Sequence, residues 1–180
     1  MKKLVQLHEH TMVHDPNVGI AVDNACAEWG GAPYPQLSVL LVHLRFLSFV
    51  HQNHHWVAKG DPFYGDHSLF GELYSNVVGE VDSIAERAVG LGTSQNVDVS
   101  LHTSQLLKLV QGYGMTQTIP QPNELARRSL QAEINFLKTC NILVQSMKEA
   151  GTLTRGLDNL IAGIEDQHET HVYKLKQRVK

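Results

Sequence analysis

What most constrains this chain is the period of its apolar residues. Four long stretches repeat at three- and four-residue steps, and no stretch alternates long enough to build a sheet. Leu37, Leu40, Leu41, Leu44, Leu47 and Val50 mark the first, which runs from Pro35 to the break at Gly60-Asp61-Pro62. Phe70, Leu73, Val77, Val81, Ile84 and Ala88 mark the second, over about residues 66–91 with Gly92 as its stop. Leu130, Ile134, Leu137, Cys140, Val144 and Met147 make the third, up to Gly151, and Leu157, Ile161, Ile164, His168, Val172, Leu175 and Val179 the fourth. Each stripe covers one face of a helix, so each helix must find neighbours to bury it.

The links are short, long and short. Residues 93–122 form the long one, closing on Pro120 and Pro122, with a short helix expected around Leu106, Leu107, Leu109 and Val110. That layout predicts an all-α fold, a ferritin-like antiparallel four-helix bundle with one crossover. A length of 180 residues suits one domain with a well-buried core. The bundle is assigned to residues 36–180. Residues 1–35, with Pro16, Gly30-Gly31, Pro33 and Pro35 and no sustained period, are read as an N-terminal arm. Leu37 to Val50 is interrupted by Ser38, His43, Arg45 and Ser48 and does not suit a bilayer, and the start of the chain lacks a secretory apolar run, so a cytoplasmic location is expected. Cys26 and Cys140 stand alone, which argues against a disulfide framework or a zinc ribbon.

Histidine is the outlier, with eleven residues, and imidazole is the commonest transition-metal ligand. Asp82 and Glu86 lie four apart on the second helix and therefore share a face, where two carboxylates can hold a cation. Such a pair is more often a solvated surface, so alone it decides little. His55 ends the first helix and His67 begins the second. His67 and Asp82 are fifteen residues apart, about 22 Å along one straight helix, too far to touch one ion. A two-fold axis crossing that helix would run two copies antiparallel and bring His67 of one against Asp82 and Glu86 of the other. Any site made of these residues must then be shared between subunits.

The segment His54-His55-Trp56-Val57-Ala58-Lys59-Gly60, Phe63-Tyr64, His67, Leu73-Tyr74, Asp82, Ala85-Glu86-Arg87 and Leu91-Gly92 resembles the Dps family of mini-ferritins in residue type and spacing, over about residues 37–92. The resemblance implies a ferroxidase centre at a dimer interface, with His55 and His67 ligating iron from one subunit and Asp82 and Glu86 from the other, and Trp56 beside them. It further implies Fe(II) oxidation, with hydrogen peroxide preferred over oxygen, and Fe(III) storage in a hollow homo-oligomeric shell, expected to be a dodecamer. Carboxylates favour Fe(III) while imidazoles hold Fe(II), a compromise that permits turnover. One departure stands out: the family often has an acid four positions after the second histidine, and here that place is Gly71. Neighbouring Glu72 points about 100° round the helix. His51 and His54 could complete a second metal position, though interface residues satisfied by hydrogen bonds are the simpler expectation.

Two rival readings compete. An intrasubunit ferritin-type di-iron oxidase needs a Glu-x-x-His pair on each of two helices, and only Glu165 and His168 fit. For a DNA-compacting shell, the net charge of −3 provides no general attraction, Lys2 and Lys3 are few, and Lys174, Lys176, Arg178 and Lys180 also suit a helix C-terminus. His8, His10 and His14 read as solvated arm residues, and Asp158, Glu165 and Asp166 are candidates for an iron-entry pore.

Overall fold

The structure, a computed structural model, describes residues 16–114 and 122–179. Six α-helices follow one another among these residues: α1 Pro16–Ala27, α2 Pro35–Val57, α3 Phe63–Leu91, α4 Val99–Gly112, α5 Pro122–Glu149 and α6 Arg155–Arg178. A 3-10 turn, Ser94–Val97, precedes α4. The expected ferritin-like bundle is α2, α3, α5 and α6, and α4 is the short helix of the crossover. No strand occurs among the described residues, and none of their helices is long and apolar enough to cross a membrane.

Local chemistry sets the helix ends. The Asp98 side chain accepts from the Leu101 N–H at the start of α4, and Thr154 does the same for Leu157 at the start of α6. Gly92 ends α3 where a Cβ would fall 2.3 Å from the Asn96 side-chain oxygen, so only glycine fits. Asn96 is buried and donates to the carbonyls of Pro33 and Tyr34 and to Ser38 Oγ, which pins the crossover to the start of α2.

The core is aliphatic, with Leu37, Leu40, Leu41, Leu44 and Leu47 of α2 facing Val77, Ile84 and Ala88 of α3, Phe136 and Leu143 of α5, and Leu157 and Ile161 of α6. The sequence without a sustained period includes a real helix, α1, which packs on α2 and α5. Trp29 just beyond it is fully buried, and its indole N–H donates to Gln105 Oε1 of α4 at 3.3 Å. Residues 16–35 therefore lie on the body of the bundle. Their period is faint because small apolar residues, Ala21, Ala25 and Ala27, run round the helix, while Val22 and Trp29 are the side chains buried in the core. His8, His10, His14, Lys2, Lys3 and Lys180 lie outside the described residues.

Candidate metal centres

His55 sits in the last turn of α2 and His67 in the second turn of α3, across the short link. Their rings stack with centroids 3.7 Å apart. Nδ1 of His55 is 2.7 Å from the His67 carbonyl oxygen, and Nδ1 of His67 is 2.9 Å from the His55 carbonyl oxygen. A carbonyl only accepts, so both Nδ1 atoms donate, which leaves each Nε2 with its lone pair free for a cation. The Phe63 ring packs on His67 and the Tyr74 ring meets His55 edge-on. Trp56 stands exposed beside the pair.

Gly71 is part of this arrangement. A Cβ there would lie 3.1 Å from His55 Nδ1 and 3.2 Å from its Cε1, so the imidazole rests against the glycine. The position where the family often carries an acid is here occupied by the His55 ring.

Asp82 and Glu86 project from the same helix as His67, and α3 runs unbroken between them. In one chain Asp82 therefore stands about 22 Å and Glu86 about 28 Å from His67 along the helix, and both acids are exposed. The outward stripe that they share with His67 also carries Gly71, Ser75, Val78 and Val89, and Val78 and Val89 expose about half their surface.

A second constellation lies inside the bundle. Glu133 of α5 is fully buried and is met by three imidazoles: His51 Nε2 of α2 at 2.7 Å, His168 Nδ1 of α6 at 2.5 Å and His171 Nδ1 of α6 at 3.1 Å. The far nitrogen of His168 pairs with Glu80 Oε2 of α3 at 2.9 Å. Ser129 Oγ links His51 and His54, at 3.2 and 2.8 Å. Burial alone would raise the Glu133 carboxyl, but the charge on His168 and the imidazole hydrogen bonds hold it well below the usual carboxylate range. Burial likewise opposes charge on His168, yet Glu133 and then Glu80 lift it to about 9. His54 has no carboxylate partner, and burial pushes it down to about 3.

His51 and His54 are therefore core residues and not interface ones. The apolar stripe of α2 continues through them at the same three- and four-residue steps, a signal legible in the sequence. Glu165, which the rival intrasubunit reading pairs with His168, is not in the cluster; Glu133 from the neighbouring helix takes that place, and His168 is a core residue. Glu133 and His171 escaped the sequence reading because a buried carboxylate has no apolar period, and His171 differs in the sequence from any solvated histidine only by its place three residues after His168.

Lys174 pairs with Glu72, and Arg178 grips the buried Asp66 with two bonds, Nε to Oδ1 at 2.5 Å and Nη2 to Oδ2 at 2.9 Å. Two of the C-terminal cations are thus committed within the chain.

Among solved structures, the chain aligns with Dps from Thermosynechococcus elongatus over 89% of its own length and 95% of that chain, with a TM-score of 0.63 and 18% identity. The fold is that of the Dps proteins. DpsC from Streptomyces coelicolor agrees over 82% of this chain and 83% of its own, with a TM-score of 0.61 and 19% identity. In sequence, the chain is 40% identical over 42 residues to a DNA protection during starvation protein of Brevibacillus brevis, and 42% identical over 45 residues to an uncharacterized protein of Haemophilus influenzae. Those matches cover 23% and 25% of this chain and 28% of each relative, so the chain matches little more than a quarter of the length of either. No family model matches. The chain thus resembles the Dps family in a short stretch of sequence and shares the Dps fold along most of its length.

Proposed function

We propose that this chain is an iron-oxidising and iron-storing subunit whose ferroxidase centre is shared between two copies, with His55 and His67 from one and Asp82 and Glu86 from the other. The observation that carries the reading is the placement on α3: His67, stacked on His55 of α2 and presenting a free Nε2, stands at one end of an unbroken helix, and the carboxylate pair Asp82 and Glu86 stands toward the other. Only an antiparallel partner closes the gap. The half-exposed Val78 between the two groups, with Val89 beyond the acids, suits a stripe that another copy covers.

Iron is the substrate. Two Fe(II) ions each give up one electron, the O–O bond of one hydrogen peroxide breaks, and its two oxygens leave as water after taking two protons. Oxygen is the slower alternative oxidant. Carboxylate oxygens stabilise the Fe(III) product, which passes into a mineral inside a shell, with twelve subunits the expected size. Gly71 leaves the second metal position poorer in oxygen ligands than an acid there would. The location expected for such a protein is the cytoplasm. DNA compaction has less support, because Lys174 and Arg178 already hold carboxylates.

The test is an anaerobic Fe(II) titration followed by peroxide. His67→Ala and Glu86→Ala should each abolish rapid oxidation, and unchanged rates in both would remove the proposed centre.

A further inference from the structure

We infer that the interior of each bundle holds a second, mononuclear metal site, formed by Glu133, His168 and His171 for one first-row divalent transition-metal ion. It is independent of the shared centre and lies within a single chain.

The three side chains present one ligand atom each, a carboxylate oxygen and two imidazole nitrogens, all within 4.8 Å of one another and all buried. Ligands about 2.1 Å from a common ion stand about 3.0 to 3.4 Å apart. The Glu133–His171 separation, 3.1 Å, already falls in that range, the Glu133–His168 separation, 2.5 Å, opens by about 0.5 to 0.9 Å to reach it, and the two imidazole nitrogens lie within 4.8 Å of each other. Two imidazoles and one carboxylate suit iron or zinc and are a poor set for magnesium or calcium.

The surroundings are those of ligands already oriented. His168 turns its far nitrogen to Glu80, a carboxylate behind a histidine that fixes the ring and raises its basicity. The far nitrogen of His171 lies 3.2 Å from the side-chain amide nitrogens of both Asn76 and Gln167, which hold the ring in place; metal binding through Nδ1 moves the ring proton to Nε2 and turns the amide oxygens toward it. His51 holds the Glu133 carboxylate from the other side at 2.7 Å. Because Glu80 is engaged with the outer nitrogen of His168, it does not face the same point as the other three, and the set serves one ion.

A structural ion pair is the competing account, and it needs far fewer groups. An ion pair takes one imidazole and one carboxylate, whereas here five ionisable side chains from all four bundle helices are gathered at one spot, each costly to bury. An open cleft of about 580 Å³ between α3 and α6 is lined by Asn76, Glu80 and Gln167, the residues that back the two histidines.

The experiment uses full-length protein carrying His67→Ala and Glu86→Ala, stripped with a chelator and titrated with Co(II), whose visible bands report its ligand geometry. One Co(II) per chain is expected. Adding Glu133→Gln should weaken binding by at least about 100-fold, and adding Glu80→Gln by about 10- to 100-fold, as for a group behind a ligand. Glu80 is partly exposed, so its variant keeps the test decisive should Glu133→Gln not fold. Absence of Co(II) binding in the starting variant, or equal affinity after Glu80→Gln, would overturn the site.

Discussion

His55 and His67 fix each other: each ring donates through Nδ1 to the other residue's main-chain carbonyl, at 2.7 and 2.9 Å, and the rings stack at 3.7 Å. The helix end at Val57 and the helix start at Phe63 are thereby joined by the same groups that present two Nε2 atoms outward. Structure and proposed chemistry share one device. His55→Ala should therefore do two things at once: cost about 1 kcal/mol in chemical denaturation, the net value of one such bond, and slow peroxide-driven Fe(II) oxidation by at least about tenfold. Stopped-flow absorbance of Fe(III) and urea melts measure the two.

Gly71 lets the His55 ring lie against α3. A methyl group there meets that ring at 3.1 Å and must push it aside, so Gly71→Ala should slow oxidation. Alanine also favours the helix by about 1 kcal/mol, which offsets the crowding. The expected signature is a slower rate with little change in melting temperature.

Arg178 closes the end of the bundle where α3 and α5 begin. It grips Asp66, which is buried, and reaches Asn123 at the start of α5. Arg178→Ala leaves a carboxylate in the interior without its cation and should cost about 3 kcal/mol. Pairing it with Asp66→Asn should return part of that loss, as equilibrium unfolding of the single and double variants would show.

His43 faces an apolar cavity of about 500 Å³ between α1, α2, α4 and α5, and burial pushes its imidazole down to about 4. The folded chain keeps it neutral, while the unfolded chain protonates it near its ordinary value of 6.5. Its contribution is thus intact above that value and is lost as the pH falls from 6.5 toward 4. Since the residue is only half-buried, up to about 2 kcal/mol of the loss between about pH 7 and pH 5 is its share. His43→Gln should flatten the stability profile in that window, which urea melts across the range would record.

The bundle was legible because burying a helix leaves a repeating apolar stripe, and α2, α3 and α6 show theirs plainly. On α5 the stripe reads off-centre: Ile134 and Val144 are half-buried, while Glu133, Ser129 and Phe136 face the interior. A polar residue inside the core breaks the pattern that reveals the core. α1 was illegible for another reason, since it is short and its buried contacts come from Val22 and from Trp29 beyond the helix end, not from a long repeating stripe. The pairing of His55 with His67 runs through main-chain carbonyls, which no residue identity encodes. The length separating His67 from Asp82, in contrast, follows from counting alone.

Mixing tests the central claim that the ligands come from two chains. His67→Ala and Glu86→Ala proteins, each inactive alone, are unfolded together, refolded and assayed for Fe(II) oxidation by peroxide. Random pairing gives one intact centre in each mixed dimer, so roughly a quarter of wild-type centres should return. A mixture as inactive as its components, although assembled into mixed dimers, would contradict the shared centre.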